Sequence, residues 1–365
     1  MNTRFLYITT ISTIILLACN GGSNNQSSAP APTPNPSPTP TPVPTPAPAP
    51  VPSPVSPTPS PTPPSMATYS YMISSNGRAT TTKMNSDGSF TNEYNWSTFF
   101  DLPTAITFIN GYAYVVNSAN SGSLLINSVS RCNTNGPMHT LSGCETVANG
   151  FNWPHGLAFT KDYNYAYITN INNSTTSLNS GYISKCRVNK LTASLEECST
   201  TATGFNFPWN ITTVENNAYI SSPYTRSSYT NTGSISKCQI NTNGNLIQCA
   251  NLLSNLNQST GISIYNNYLY YTSIVNNSTG EGKITSCQIL GDGSLNACKT
   301  AVSNLYTPIN IVFNNNHAYI ITNKNNLYPS IYICDVNIDQ TLSNCSGFSS
   351  SDQYQAIAFK QIIGL

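Results

Sequence analysis

Short apolar alternations recur along the chain from Met66 onward, and tight polar turns separate them. One repeat begins with the alternation Ile262/Ile264, continues with a tyrosine-centred segment at 269–271, and ends in two segments that each contain a cysteine. A period of two between apolar positions predicts half-buried β-strands. Each repeat therefore predicts four antiparallel strands, and we expect the second-strand tyrosines to pack between neighbouring sheets.

Ten cysteines divide into five pairs that keep a common frame along the chain. The first cysteines of successive pairs are separated by 54, 52, 49 and 47 residues, and the next repeat starts ten residues after each second cysteine. A sixth repeat without cysteines fits the same frame, with Thr82 and Glu93 at the cysteine positions. Four short strands at a period near 50 residues are typical of a β-propeller blade.

The two ends of the repeat region complement each other. Residues 69–74 match a second strand, so the N-terminal repeat lacks its first strand. Residues 356–359 match a first strand, so the C-terminal repeat lacks the other three. One blade assembled from both ends removes the free strand edges that an open sheet exposes. The sequence therefore predicts an all-β, six-bladed propeller over residues 66–365, closed by the N- and C-terminal strands.

The second-strand segment that ends in Thr169-Asn170, and its near copy at 321–323, resembles the YVTN/NHL-type β-propellers. This resemblance implies a propeller architecture from Thr68 to Phe359, whereas the cysteine pairs depart from that family. Six-bladed propellers include metal-dependent lactonases and esterases, whose site uses Glu, Asp and Asn around the central channel. A propeller hydrolase is therefore an alternative that the site residues must support.

The cysteine spacing predicts disulfides within repeats. Cys238 and Cys249 lie symmetrically about Asn243-Gly244, a strong hairpin signal that places them opposite each other on two strands, within disulfide range. A small register shift is an alternative to a strict two-residue turn. Metal binding would need cysteines of different blades to meet. The predicted pairs are Cys132/Cys144, Cys186/Cys198, Cys238/Cys249, Cys287/Cys298 and Cys334/Cys345, and they indicate an oxidising compartment.

Residues 1–18 have the features of an export signal, with Arg4 before an apolar stretch too short to span a bilayer. Its end, Leu16-Leu17-Ala18-Cys19, resembles the lipobox of bacterial lipoproteins. The resemblance implies cleavage before Cys19, acylation of Cys19 and, with Asn20 following, an outer-membrane location that faces the periplasm or the cell surface. The alternative is an ordinary signal peptide with an incidental cysteine.

Residues 19–65 form a segment in which 18 prolines fall between positions 29 and 64. Proline fixes φ and donates no ladder hydrogen bond, so this segment predicts a polyproline II or disordered linker rather than strands. The composition favours a spacer between the lipid anchor and the propeller. A proline-rich ligand for another protein is the alternative.

Charge is scarce in the predicted domain. Only 7% of the 365 residues are charged, and because Arg4 is the one charged residue before Met66, 13 basic residues remain to balance 13 acidic ones. Nucleic-acid binding requires clustered Lys and Arg, so this balance argues against a nucleic-acid partner. Solubility depends instead on Asn, Ser and Thr.

The positions before the first strands should line the mouth of the central channel: Thr104, His155, Trp209, Thr260, Ile309 and Gln355. No acid occupies them, the three histidines fall on separate loops, and no nucleophile–base pair is visible. We therefore predict no catalytic constellation, no metal and no cofactor. The candidate binding face carries Trp153, His155, Trp209 and Tyr306, with chemistry that suits a neutral glycan or an uncharged protein loop. A non-enzymatic binding scaffold is the prediction, and a hydrolase or a purely structural envelope component is the alternative.

Overall fold

The computed structural model of the protein describes residues 66–118, 127–171, 180–224, 232–323 and 328–363. The predicted export signal, Cys19 and the proline-rich segment lie outside these residues. Within the described ranges the chain forms six four-stranded antiparallel sheets, and the helical structure is a single 3₁₀ turn, Pro137–His139. No helix in these ranges is long and apolar enough to cross a membrane. The prediction of an all-β, six-bladed propeller is confirmed.

The strands are numbered in chain order and grouped by blade, from the first strand of each blade to the fourth. Blade 1 contains β24 (Tyr354–Ile363), β1 (Met66–Ser74), β2 (Arg78–Met84) and β3 (Phe90–Thr98); blade 2 contains β4 (Pro103–Ile109), β5 (Tyr112–Asn117), β6 (Ser128–Asn133) and β7 (Ser142–Ala148). Blade 3 contains β8 (Pro154–Phe159), β9 (Tyr165–Asn170), β10 (Gly181–Val188) and β11 (Leu195–Phe205); blade 4 contains β12 (Asn210–Val214), β13 (Asn217–Ser222), β14 (Gly233–Ile240) and β15 (Leu246–Leu256). Blade 5 contains β16 (Ile262–Tyr265), β17 (Tyr268–Asn276), β18 (Glu281–Ile289) and β19 (Leu295–Tyr306); blade 6 contains β20 (Pro308–Asn314), β21 (His317–Thr322), β22 (Ile331–Val336) and β23 (Leu342–Phe348).

The ring closes in blade 1, where the C-terminal strand pairs with the N-terminal one. β24 runs antiparallel to β1, with Met66 opposite Ile363 at one end and Ser74 opposite Tyr354 at the other. The first strands of neighbouring blades contact one another around the central channel. We call the end of the ring that carries Ser74 and Tyr354 the loop face, and the opposite end, with the tips of the third-to-fourth-strand hairpins, the hairpin face.

The apolar core lies between blades, and a buried tyrosine from each second strand crosses each blade interface. These six side chains are fully buried, and each phenol O–H donates to a backbone carbonyl at the hairpin tip of the next blade. The pairs are Tyr71 to His139 (2.8 Å), Tyr114 to Ala193 (2.6 Å), Tyr167 to Gly244 (2.7 Å), Tyr219 to Gly293 (2.8 Å), Tyr270 to Gln340 (3.2 Å) and Tyr319 to Gly88 (2.7 Å). The hydrogen bonds therefore run once around the ring, and the predicted role of the tyrosines between blades is confirmed.

All five predicted disulfides are present, and each joins the third and fourth strands of one blade with Cα atoms 4.0–4.1 Å apart. The bridges are Cys132–Cys144, Cys186–Cys198, Cys238–Cys249, Cys287–Cys298 and Cys334–Cys345. The prediction of pairing within repeats is therefore confirmed, and the bridges indicate an oxidising, extracytoplasmic location.

The strict two-residue turn, by contrast, is wrong, and the alternative of a register shift is correct: the cysteines lie opposite each other, and the shift falls between them and the hairpin turn. In blade 3 the ladder pairs Lys185 with Ser199 and then Arg187 with Glu196, so that no ladder pair joins Cys186 to Cys198. The fourth strand contains one extra residue at this point, which forms a bulge. The same shift lies on the hairpin side of the second cysteine in all five blades: Cys144, Cys198, Cys249, Cys298 and Cys345.

The backbone at each bulge explains the shift. The residue immediately before the second cysteine is left-handed, with φ between 47° and 53°, in all five blades: Gly143, Glu197, Gln248, Ala297 and Asn344. Only the first of these is a glycine, and a residue with a side chain rarely adopts this backbone. The symmetric spacing of the cysteines about the hairpin turn does not predict this left-handed residue.

The two cysteines of each bridge also differ in burial, although the sequence symmetry gave them equivalent positions. The first cysteines, on the third strands, are fully buried: Cys132, Cys186, Cys238, Cys287 and Cys334. The second cysteines lie on the outer strands, where Cys144 is half-buried and the other four are exposed: Cys198, Cys249, Cys298 and Cys345. Each bridge therefore ties the outer strand of a blade to a buried strand.

Blade 1 replaces the disulfide with a different contact. Thr82 occupies the position of the first cysteine, as predicted, and its hydroxyl lies 3.0 Å from the hydroxyl of Thr91. The prediction for the second position is wrong by one residue, because the register places Tyr94, not Glu93, opposite Thr82. An irregularity between Thr82 and Met84 adds two residues to β3 and moves the pairing along the strand.

Candidate ligand site at the channel mouth

The central channel opens on the loop face into a cavity of about 370 Å³. The first strands of the blades and the residues just before them build its wall. All six positions predicted to line the mouth do line it: Thr104, His155, Trp209, Thr260, Ile309 and Gln355. The fixed offset between the second cysteine and the next first strand was therefore sufficient to locate the mouth from the sequence.

Side chains from one blade hold the backbone of mouth residues in the next blade. The Thr104 hydroxyl donates to the carbonyl of His155 at 2.9 Å, and the Thr260 hydroxyl donates to that of Ile309 at 2.8 Å. Equivalent bonds run from Thr169 to Trp209 (3.1 Å), from Ser221 to Thr260 (2.7 Å) and from the Asn310 amide to Gln355 (3.3 Å). These hydrogen bonds fix the mouth backbone before any ligand arrives, which lowers the ordering cost of binding.

Two glycines allow neighbouring first strands to approach closely at the mouth. A Cβ added at Gly156 would lie 2.8 Å from the Cα of Asn210, and one added at Gly261 would lie 2.6 Å from the Cα of Asn310. The N–H of Gly156 donates to the Thr169 hydroxyl at 2.7 Å, so one threonine bridges two adjacent first strands. The glycines thus set the position of the two asparagines in the cavity wall.

His155 and Trp209 form an aromatic pair in the cavity wall. Their ring centroids are 3.8 Å apart, and the ring planes are inclined by 36°. Burial lowers the pKa of His155 well below its ordinary value because the charged imidazolium loses its hydration. The imidazole is therefore neutral at physiological pH, and the pair presents an uncharged aromatic surface with ring N–H groups at its edges.

The described cavity wall carries no carboxylate, ammonium or guanidinium group. Its polar side chains are hydroxyls and primary amides, and its apolar ones are aliphatic, apart from Trp209 and His155. The amides come from Asn210, Asn310, Asn323, Gln353 and Gln355. Across the part of the chain that the structure describes, no group of three or more His, Cys, Asp or Glu side chains is positioned to hold a metal ion.

The other two residues of the predicted binding face lie outside this cavity wall. Trp153 has a left-handed backbone with φ of 51°, and its carbonyl accepts the N–H of Ile171 at 3.1 Å. Tyr306 stacks in parallel on Tyr328, with ring centroids 4.3 Å apart and planes inclined by 3°. The structure therefore brings His155 and Trp209 together, whereas a binding role for Trp153 and Tyr306 stays a prediction.

Two amides of the cavity wall, Gln353 and Asn323, stand outside the repeat positions that mark the mouth. Gln353 donates to the side-chain oxygen of Asn323 at 2.7 Å, which joins the connection before β24 to the end of the second strand of blade 6. The ten-residue offset marks Gln355 as the mouth position, and Gln353 lies two residues before it in the same connection. Asn323 follows directly after β21, and only the three-dimensional arrangement brings it to the mouth.

No protein-family model matches the chain, and no curated protein matches it. Solved structures do match. A chain of a nidogen/laminin complex is 14% identical with a TM-score of 0.58, and the match covers 80% of this chain and 98% of the other. A candidate 6-phosphogluconolactonase from Bacteroides uniformis is 14% identical with a TM-score of 0.55, covering 80% and 84% of the two chains. A second such candidate, from Bacteroides fragilis, is 14% identical with a TM-score of 0.52, covering 80% and 83%. At these identities the likeness establishes the propeller fold alone.

Proposed function

We propose that the protein is an exported lipoprotein whose propeller binds a neutral ligand at the channel mouth without catalysing a reaction. The observation that carries this proposal is the cavity wall, which combines the His155–Trp209 pair with neutral amides and hydroxyls. Pockets of this kind bind small molecules through apolar contact and a few convergent polar groups. A similar propeller that occurs in a complex of nidogen with laminin supports a binding role for the fold.

A propeller hydrolase is the alternative function. Two solved structures assigned as candidate lactonases share the fold, but at 14% identity they carry no site residue over to this chain. A hydrolase of the metal-dependent kind would need carboxylate ligands at the channel, and the described cavity wall contains none; Asp352, next to Gln353 in sequence, forms an ion pair with Arg78 at 3.3 Å. The binding proposal uses groups that the cavity wall does contain.

We expect the purified full chain to retain a neutral compound when it is equilibrated with a small-molecule extract and then dialysed. Trp209→Ala should lose most of that retention, because it removes the largest aromatic surface of the cavity wall. Mass spectrometry of the released compounds measures the difference. Trp96→Ala is the matched control, since Trp96 is 60% exposed and does not line the cavity. Equal retention by Trp209→Ala and the wild type, or retention that a chelator abolishes, would contradict the proposal.

The lipid anchor gives a second expected result. We propose that Cys19 is the mature N-terminus and carries the acyl chains that hold the protein at the outer membrane. Cys19→Ser should therefore move the protein from the membrane fraction to the soluble fraction, and mass spectrometry of the wild type should find no peptide upstream of residue 19. A Cys19→Ser protein that still fractionates with membranes at the wild-type level would overturn this assignment.

A further inference from the structure

We infer that the ligand of the channel mouth is a neutral saccharide, with one sugar ring held beside Trp209; this inference rests on the proposed binding function. Trp209 and His155 together offer an aromatic surface, with ring centroids 3.8 Å apart. The apolar face of a pyranose ring packs well on such a surface, while its hydroxyls point outward toward polar groups. The same cavity wall also contains amides and hydroxyls, to which sugar hydroxyls can bond.

Two asparagines of the cavity wall are fixed, but part of the hydrogen-bonding capacity of the wall is unused. The side-chain oxygen of Asn210 accepts the N–H of Ile211 at 2.8 Å, and the same bond at 2.9 Å orients Asn310 toward Ile311. Asn310 then donates its amide N–H to Gln355, as described above. Each asparagine amide is therefore held in a defined plane by its own backbone.

Four polar groups in the cavity wall have no hydrogen-bond partner among the residues that the structure describes. They are the NH₂ of Asn210, the side-chain amide of Gln355, the indole N–H of Trp209 and the imidazole of His155. Two of these groups only donate, while the glutamine amide and a neutral imidazole can both donate and accept. Sugar hydroxyls also donate and accept, so they can satisfy this mixed set, whereas an acceptor-only or donor-only ligand cannot.

The size of the cavity favours a saccharide over a protein as the ligand. A volume of about 370 Å³ lies near the lower end of the ~300–1,000 Å³ range of small-molecule sites. A stable protein partner buries about 800 Å² of each surface, and the channel mouth alone cannot supply that area. A mono- or disaccharide, by contrast, fits a site of this volume.

The absence of charged side chains from the described cavity wall favours neutral saccharides over charged ones. The described wall contains no charged side chain that could compensate a carboxylate, a phosphate or an ammonium group. Moving an unpaired charge out of water into this cavity is costly. Neutral hexoses and N-acetylhexosamines should therefore bind, and their uronate, phosphate and free-amine counterparts should bind more weakly.

Saturation-transfer NMR and calorimetry on the full chain test this inference with defined probes: glucose, galactose, mannose, N-acetylglucosamine and their disaccharides. Glucuronate, glucose 6-phosphate and glucosamine are the charged counterparts of matched size. We expect at least one neutral probe to bind, and its charged counterparts to bind about tenfold more weakly or worse. Binding of a charged counterpart as strongly as the neutral sugar, or no binding of any neutral probe, would overturn the inference.

Two variants locate the saccharide in the cavity. Trp209→Ala should weaken binding about tenfold or more, and Trp96→Ala should leave it within about twofold. If Trp209→Ala does not fold, Gln355→Ala takes its place, because the Gln355 side chain has no described partner and only its backbone carbonyl supports the mouth. Gln355→Ala should weaken binding about fivefold while the melting temperature stays near that of the wild type. Equal losses for Trp96→Ala and the cavity variant would refute the placement.

The saccharide inference and the proposed binding function fail in different ways. If the wild type retains a neutral compound from an extract, Trp209→Ala loses it, and that compound is not a saccharide, the inference is wrong and the binding function stands. If the extract experiment finds nothing retained and no sugar probe binds, both are wrong. Binding of a sugar probe that depends on Trp209 supports both.

Discussion

Removal of residues 354–365 is expected to abolish the cooperative unfolding transition of the propeller. This segment contains β24, which pairs with β1 along almost its whole length and buries Tyr354, Ala356 and Ile357. Burial of a large apolar side chain is worth about 1.5–3 kcal/mol, and a typical domain is stable by only ~5–15 kcal/mol. Loss of the strand also opens the ring and exposes the edge of β1 to aggregation. Thermal and denaturant unfolding followed by circular dichroism measure the effect.

Two controls separate the loss of the closing strand from a general effect of shortening the chain. A chain that lacks only residues 364–365 should melt as the full chain does, because β24 ends at Ile363. A synthetic peptide with the sequence of residues 354–363 should restore part of the transition when it is added to the truncated protein. A truncated protein that melts at the wild-type temperature without the peptide would show that blade 1 is not the closure of the ring.

The blade architecture could be predicted from the sequence because the repeat frame is redundant. Hairpin turns, cysteine spacing and the alternation of the first strands each give the same frame, so an error in one is corrected by the others. Blade 1 shows the limit of this redundancy. With no cysteine to fix the fourth strand, the sequence frame assigned Glu93 to a position that the structure gives to Tyr94. Such an insertion depends on local backbone geometry, which a repeat frame does not contain.

The disulfides show the same limit at a finer scale. Spacing was sufficient to identify the partner of each cysteine, because a hairpin brings only one second cysteine within reach. It could not give the exact register, since the bulge before Cys198 or Cys298 is a property of the backbone at Glu197 or Ala297. Neither glutamate nor alanine is a residue type that signals a left-handed backbone.

The candidate site was predictable only where it follows the same frame. His155, Trp209 and Gln355 hold equivalent places before their first strands, and all three line the cavity. Trp153 lies two residues from His155 in sequence, yet it is not among the residues that line the cavity, and its left-handed backbone departs from strand geometry. Composition therefore suggested an aromatic binding face, but contact between particular aromatic rings depends on side-chain directions that composition does not determine.

The ring of tyrosine hydrogen bonds also lay beyond the sequence analysis, although the tyrosines themselves were expected between blades. Their partners are backbone carbonyls at hairpin tips, such as Gly244, Gly293 and Gly88. Every residue has a backbone carbonyl, so the sequence does not show which one accepts the hydrogen bond. Each blade is thereby bonded to the next at the hairpin face through one phenol. The disulfides brace individual blades, whereas the tyrosines, the apolar clusters and the mouth hydrogen bonds join neighbouring blades.

We expect this tyrosine ring to make the propeller unfold sharply above pH 10. Burial raises the pKa of all six tyrosines, to about 12 for Tyr114 and Tyr219 and upward likewise for Tyr71, Tyr167, Tyr270 and Tyr319. An unfolded tyrosine ionises near pH 10. The stabilisation is therefore complete below pH 10 and is lost as the pH rises from 10 through the folded-state pKa, because the unfolded chain releases these protons first.

The size of the alkaline effect follows from the number of tyrosines that act together. Each tyrosine lowers the free energy of unfolding by up to about 1.4 kcal/mol per pH unit in this window. The summed loss from all six tyrosines equals the ~5–15 kcal/mol stability of a typical domain within about one to two pH units. Denaturant unfolding at pH 8, 10, 11 and 12, with tyrosine ionisation followed by absorbance near the phenolate band, measures both the stability and the titration.

Tyr219→Phe is the variant that assigns the effect to the ring. It removes the hydrogen bond to the Gly293 carbonyl and leaves that buried acceptor unpaired, so it should cost about 1–3 kcal/mol at pH 8. It should also lessen the decline between pH 10 and 12, since one of the six ionising phenols is gone. Tyr163→Phe, at a side chain that is 43% exposed, should change neither quantity. Tyrosines that all titrate near pH 10 in a propeller that stays folded would show that the phenols are accessible and that the ring does not join the blades.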